Sequence, residues 1–91
     1  MISSERPQLD HATVETAIND FRTELNRRLN EKGYGSWLSR HEILGVLEEE
    51  LLELKDAVHN KSFSDIRSEL LDIAVGAVFG AACIDHGKMD W

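Results

Sequence analysis

Residues 39–59, SRHEILGVLEEELLELKDAVH, decide the fold of this 91-residue chain. Apolar side chains recur in this stretch at steps of three and four, which is typical of one face of an α-helix. Ser39 and Glu42 have the S-x-x-E spacing of a capping box at the start of that helix. A polar connector at residues 60–64 leads to a second helix, predicted from residue 64 or 65 to about residue 86. Because the connector is short, the two helices are predicted to form an antiparallel hairpin.

A further amphipathic helix is predicted before the hairpin. Asp10 is a residue type favoured at helix N-caps, and helical apolar spacing follows it to about Lys32. The apolar positions are Val14, Ile18, Phe21, Leu25 and Leu29. Gly33 ends the pattern, since glycine adopts the left-handed helix-ending conformation without a steric cost. The chain is therefore predicted to be a single all-α domain over residues 1–91, with a polar lead-in at residues 1–9.

The small size of the chain indicates that it assembles with partner chains. A domain of this length buries only about 60–65% of its unfolded surface, so neighbouring copies are expected to complete the core. Gly76 and Gly80 form a small-xxx-small pattern that permits close helix contact, which suggests a tight interface between copies. We therefore expect an oligomeric helix bundle.

Charge and apolar content restrict the class of partner and the location. The net charge is −7, from 17 acidic and 10 basic residues, so a phosphate backbone is repelled and no nucleic-acid partner is expected. The longest apolar run, residues 70–84, contains Asp72 and is shorter than the roughly 20 residues that span a bilayer. The first ten residues are polar, and the single cysteine, Cys83, has no partner for a disulfide. A cytoplasmic protein without a membrane partner is predicted.

Acidic residues occupy unexpected positions on both helices of the hairpin. At about 100° per residue, Glu50 falls inside the apolar arc of the first helix, Glu53 at its edge, and Glu49 one step further out. The second helix is apolar nearly all round, yet Glu69 and Asp72 interrupt it on one side. The five carboxylates are therefore predicted to converge between the two helices.

Such a cluster needs compensating cations. Burying one unpaired carboxylate costs several kcal/mol, and clustering like charges costs more. The nearby basic residues, Lys55, Lys61 and Arg67, all lie where a solvated role is easy. Carboxylates without histidine or cysteine suit hard cations, so the sequence predicts a Mg²⁺ or Mn²⁺ site. The alternative is that the run of residues 48–50 is an ordinary solvated helix face.

The acidic pattern also resembles a known family. Residues 49–53, EELLE, are followed after 15 residues by residues 69–72, ELLD. This arrangement resembles the EExxE…ExxD signature of MazG-like nucleotide pyrophosphohydrolases, and the similarity covers residues 42–84. The resemblance implies a helical dimer or tetramer that hydrolyses nucleoside triphosphates, often deoxy or non-standard ones, to the monophosphate and pyrophosphate.

Roles for individual residues follow from the same resemblance. It implies that Mg²⁺ is bound directly by Glu50, Glu53, Glu69 and Asp72. It implies that Glu49 binds a further Mg²⁺ or orients the attacking water, so that Glu49, Glu50 and Glu53 form the catalytic group. Metal ions suit this reaction, because they neutralise phosphate oxygens and activate water near neutral pH.

The sequence also offers candidate substrate contacts and an alternative function. Trp37, before the second helix, is positioned to stack on a base, although a packing role is the competing interpretation, and Arg67 and Lys61 are candidate phosphate contacts. Relatives commonly carry a lysine where this chain has Val46, and few residues follow the last predicted helix. These departures favour the alternative of a catalytically weak or inactive helical module that binds metal or nucleotide and serves in assembly.

Overall fold

The computed structural model describes residues 6–90, which form three helices and, within that range, no strand. The helices are α1 (His11–Lys32), α2 (Arg40–Asn60) and α3 (Phe63–His86). The all-α prediction is confirmed, and the predicted limits of α1 and α2 agree with the structure to within one residue. The predicted polar lead-in spans residues 1–9, and residues 1–5 of it lie outside the described residues. Residue 91 also lies outside them.

Side-chain caps begin the first two helices. The Asp10 carboxylate accepts a hydrogen bond from the Thr13 backbone N–H at 2.7 Å, and the Ser39 hydroxyl accepts one from the Glu42 N–H at 3.2 Å. The Glu42 carboxylate accepts from the N–H of Leu38, one residue before the expected partner. Each cap satisfies donors that have no partner inside the helix.

α3 begins slightly earlier than predicted. Ser62 is its N-cap, and its hydroxyl accepts a hydrogen bond from the Asp65 N–H while the Asp65 carboxylate accepts one from the Ser62 N–H. This reciprocal pair is a capping box with aspartate at the third position, and it draws Phe63 and Ser64 into the first turn. At the other end, α3 stops at Gly87, which takes the left-handed helix-ending conformation at φ 77°.

α3 lies at the centre of the packing and contacts both other helices. A Cβ at Gly76 would lie 3.2 Å from Leu47 of α2, and one at Gly80 would lie 3.7 Å from Ile43. Numbers rise along α3 as they fall along α2, so the two helices form the predicted antiparallel hairpin.

The two glycines of α3 serve contacts inside the chain. The Trp37 ring covers Gly80, where an added Cβ would lie 3.2 Å from the ring, and meets Phe79 edge-on with ring centroids 5.1 Å apart. The Trp37 backbone N–H donates to Cys83 Sγ at 3.4 Å. The expectation that Gly76 and Gly80 form an interface between copies is therefore corrected, because Leu47 and Trp37 occupy that face.

The core is thin for a folded domain. Among the described residues, the buried apolar side chains are those of Ala57, Val75 and Cys83. The radius of gyration is 15.7 Å, whereas a compact chain of this length has about 12 Å. The chain exposes 7029 Å², against about 5,400 Å² for a compact monomer of 10.3 kDa. Much apolar surface is thus left uncovered.

Part of the uncovered apolar surface follows a regular spacing on α2 and α3. Six exposed residues, seven apart on each helix, form what we term the outer face: Leu44, Leu51, Val58, Leu70, Ala77 and Ile84. On α3 they lie about 120–160° around the helix from Asp72, the residue that meets α1. The outer face is therefore turned away from α1. No helix in residues 6–90 is both long and apolar enough to cross a bilayer.

Candidate metal centre

Three of the five predicted carboxylates meet between α2 and α3. One oxygen from each of Glu50, Glu69 and Asp72 lies within 4.8 Å of the other two. Glu69 and Asp72 are three residues apart, so both project from the same side of α3, and Glu50 faces them from α2. The structure brings these side chains together in the way that the helical wheels predict.

The remaining two carboxylates lie at the margin of this cluster. Glu53 is exposed one turn after Glu50, and its charge raises the pKa of both Glu50 and Glu69. Glu49 is exposed and lines the cavity beside the cluster. Glu53 is therefore within electrostatic reach of the three clustered oxygens, whereas Glu49 faces the adjoining space.

The cluster is electrostatically unsatisfied. Burial raises the pKa of Glu50 from its usual value, and the carboxylates of Glu53 and Asp72 raise it further. The pKa of Glu69 is raised by burial and then by the same two neighbours. The Oε2 atom of Glu50 has almost no solvent access and no hydrogen-bond partner among the described residues. An orphaned carboxylate oxygen among like charges is an environment that a cation stabilises.

Arg28 of α1 supplies a positive charge that sequence reasoning did not identify. Its Nη1 lies 3.3 Å from Asp72 Oδ1, and its charge lowers the pKa of Glu50. A signal was present in the sequence: Arg28 follows Val14 and Phe21 at seven-residue spacing and so occupies the apolar stripe of α1. A charged side chain on a packing face indicates a partner across the interface.

A cavity of about 330 Å³ adjoins the cluster. Carboxylates line one end, Arg28 and Lys32 supply cations, and Trp37 and Phe79 supply aromatic rings. The lining residues are Arg28, Leu29, Lys32, Gly33, Gly35, Trp37, Val46, Glu49, Glu50, Asp72, Val75, Gly76 and Phe79. The volume is at the lower end of the range for small-molecule sites, about 300–1,000 Å³.

The predicted substrate contacts separate into two groups. Trp37 lines the cavity, as a base-stacking residue must, while also packing on Phe79 and Gly80. Arg67 instead donates to Asp20 of α1 at 2.7 Å. Lys61 lies 3.7 Å from Asp56, and neither of these two cations is part of the cavity wall. Arg28 and Lys32, rather than Lys61 and Arg67, provide the positive charge of the cavity wall.

The donor set fits a hard divalent cation. Opposite oxygens around one Mg²⁺ are about 4.2 Å apart, since each bond is about 2.1 Å long. Adjacent oxygens on one ion are closer, at roughly 3.0 Å, so three oxygens that lie within 4.8 Å of one another close on an ion after movements of up to about 1 Å. The oxygen-only donors exclude a preference for soft metals, and the Glu50 carboxylate contributes a buried oxygen without a hydrogen-bond partner among the described residues.

No family model, curated protein or solved structure matches the chain.

Proposed function

We propose that the protein is a Mg²⁺-dependent nucleotide pyrophosphohydrolase, which cleaves nucleoside or deoxynucleoside triphosphates between the α and β phosphates. One observation carries the proposal: the three-carboxylate cluster adjoins a cavity whose wall also contains cationic side chains and aromatic rings. A nucleotide needs all three of these features, for its metal-bound phosphates, its remaining phosphate charge and its base. The role would be removal of non-standard or excess nucleotides in the cytoplasm.

Each carboxylate has a distinct part in this proposal. Glu50, Glu69 and Asp72 hold Mg²⁺ (or Mn²⁺), Glu53 completes the ligand set from the next turn of α2, and Glu49 orients the attacking water or holds a further ion. Bound Mg²⁺ supplies neutralisation of the phosphate oxygens and a lower pKa for the attacking water. The acidic chain needs these ions before it can accept a polyanion at all.

The outer face supports a homodimer, and a tetramer if dimers pair again. The chain exposes roughly 1,600 Å² more than a compact monomer of its mass, and a standard interface removes about 800 Å² from each partner. The seven-residue spacing on α2 and on α3 is that of helices which pack on other helices along a seam. A second hairpin seated on this face completes a four-helix bundle and leaves the carboxylate cluster, which faces α1, open to substrate.

The direct test is release of pyrophosphate from a panel of standard, deoxy and non-standard nucleoside triphosphates, with Mg²⁺ or Mn²⁺. We expect turnover of at least one nucleotide in the panel. Asp72→Asn or Glu53→Gln lowers the rate at least about 100-fold, because removal of one ligand charge forfeits several kcal/mol of transition-state stabilisation. Glu48→Gln, a change in the same acidic run on the solvent side of α2, stays within twofold. Absence of pyrophosphate across the whole panel contradicts the proposal.

One observation favours a second candidate, an inactive module that binds metal or nucleotide and serves in assembly. Val46, which stands where the resembling family commonly has lysine, contributes an apolar side chain to the cavity wall. In that case nucleotides raise the melting temperature in the presence of Mg²⁺, while no product forms. Thermal unfolding and product detection on the same samples separate the two candidates.

A further inference from the structure

The contact between Arg28 and Asp72 is loose for an ion pair between two helices. A single nitrogen reaches a single oxygen at 3.3 Å, whereas good charge-assisted hydrogen bonds are about 2.7–2.9 Å long. Arg67 and Asp20 join the same two helices, α1 and α3, at 2.7 Å. Both side chains of the Arg28–Asp72 pair keep about a quarter of their surface exposed, so neither is locked in place.

The charges around Arg28 are also unbalanced. The Arg28 guanidinium contacts Asp72 and its charge also reaches Glu50, whereas Glu69 is influenced by Lys61 instead. One guanidinium therefore leaves most of the charge of the Glu50, Glu69 and Asp72 cluster uncompensated. A divalent cation in the cluster needs the charge of the Asp72 carboxylate, one oxygen of which, Oδ1, is contacted by Arg28. Metal and guanidinium therefore compete for one carboxylate, and repel each other if both stay.

Space for the displaced guanidinium exists next to the cluster. Arg28 forms the ion pair with Asp72 and also lines the 330 Å³ cavity. Lys32, one turn later on α1, lines the same cavity. These two positive charges lie one helical turn apart beside the carboxylate cluster. They are expected to attract an anion into the cavity once a metal ion has neutralised the acids. A guanidinium suits phosphate because it donates two parallel hydrogen bonds.

We propose that Arg28 exchanges partners: it is the counter-ion of Asp72 in the metal-free protein, and it turns into the cavity to bind phosphate oxygens, together with Lys32, when a divalent ion takes Asp72. This inference rests on the proposed function for the identity of the anion as a nucleotide phosphate. The exchange makes anion binding conditional on metal, since a free guanidinium appears only after the ion has bound.

Calorimetric titration of Mn²⁺ alone tests the first half of the exchange. Arg28→Gln removes the competing cation, so we expect Mn²⁺ to bind about tenfold more tightly than to the wild type. Arg67→Gln is the matched control, because it breaks the other ion pair between α1 and α3, and it should change the Mn²⁺ affinity less than twofold. Unchanged or weaker Mn²⁺ binding by Arg28→Gln overturns the exchange and leaves Arg28 a structural residue.

Binding of inorganic pyrophosphate at saturating Mg²⁺ tests the second half. Arg28→Gln should weaken this binding at least fivefold, although it tightens the metal, whereas Arg67→Gln should have no effect. The exchange predicts that Arg28→Gln binds the metal more tightly and pyrophosphate more weakly than the wild type. A general loss of structure would weaken both kinds of binding. Equal pyrophosphate affinity in wild type and Arg28→Gln overturns it.

A conservative variant covers the case in which Arg28→Gln does not fold. Arg28→Lys keeps the charge and loses the paired donors, so Mn²⁺ affinity should stay within threefold of the wild type while pyrophosphate binding falls. A variant that binds pyrophosphate as well as the wild type overturns the proposal. Failure of the hydrolase proposal looks different: the wild type then shows these metal and anion effects but releases no product from nucleotides.

Discussion

Glu50 lies on the side of α2 that packs against α3, and one of its carboxylate oxygens has neither solvent nor a hydrogen-bond partner in the described structure. Its nearest acidic neighbours approach from the other helix and from the next turn. In the absence of metal, burial and repulsion raise the pKa of both Glu50 and Glu69. Protonation therefore relieves the repulsion in the metal-free cluster, in addition to the positive charges of Arg28 near Glu50 and Lys61 near Glu69.

The raised pKa values predict how stability depends on pH without metal. The folded protein holds these protons more tightly than the unfolded chain, so metal-free stability falls as pH rises above about 4.5, the usual glutamate pKa, through the raised values. Glu50→Gln removes one of the repelling charges, so the fall should be shallower and the metal-free melting temperature higher near pH 7. Thermal unfolding in a chelator from pH 4.5 to 7.5 measures both, with Glu48→Gln as a control that should follow the wild type.

Added Mn²⁺ should reverse this pH dependence, because the ion binds the deprotonated carboxylates. The wild type is then expected to gain stability from pH 5 to 7, and Glu50→Gln to gain little. A wild-type protein whose melting temperature is the same with and without Mn²⁺ at pH 7 would count against the metal centre itself.

At the scale of the helix, the caps explain where the elements begin. Ser62 and Asp65 share reciprocal hydrogen bonds, and α3 starts at Phe63 because that pair is satisfied there. The S-x-x-D spacing was visible in the sequence, but the connector also contains Phe63, whose apolar side chain is almost fully exposed at the first turn. The exact first residue of α3 depended on this local hydrogen bonding, which periodicity does not report.

Removing the α3 cap should therefore be costly. We expect Ser62→Ala to lower the free energy of unfolding by about 1 kcal/mol, since donors of the first turn lose their acceptor. Ser68→Ala, a change of the same size inside α3, should have little effect, because its hydroxyl merely bonds back to the Ser64 carbonyl. Urea denaturation monitored by circular dichroism measures both variants. Equal midpoints for the two variants would show that the cap contributes nothing.

For the whole molecule, the dominant feature is apolar surface that lacks a partner within the chain. Three buried apolar side chains among residues 6–90 provide little of the burial that stabilises a folded domain. The outer face instead exposes half or more of five large aliphatic side chains at regular spacing. In the proposed homo-oligomer, burial of this face between copies would supply the missing apolar contact, so we expect stability to depend on protein concentration.

Charge placed on the outer face should separate the copies. Leu51 lies at the middle of the α2 row and is 58% exposed in the single chain, so Leu51→Glu puts two buried charges at a symmetric interface. We expect this variant to sediment as a monomer at concentrations where the wild type is dimeric or tetrameric. Leu9→Glu, at an apolar residue 78% exposed outside the helices, should leave the assembly intact. A monomeric wild type at high concentration would argue against the outer face as an interface.

The sequence by itself determined the features that depend on neighbours a few residues apart. Helix positions, the stops at Gly33 and Gly87, and the alignment of Glu69 with Asp72 all follow from local backbone geometry, which repeats every 3.6 residues. The connector between α2 and α3 has two residues, and so short a connector favours antiparallel packing of the two helices. This packing places Glu50 opposite Glu69 and Asp72.

Only the tertiary structure decided what α1 contributes. Arg28 meets Asp72 across 44 positions of sequence, and Lys32 lines the cavity beside this pair, because α1 packs on α3, a pairing that no local repeat encodes. The same packing pairs Arg67 with Asp20, away from the cavity, and sets Trp37 over Gly80. The physical reason is that helix periodicity fixes which face is apolar, whereas the choice of partner for that face depends on the shapes and charges of side chains distant in sequence.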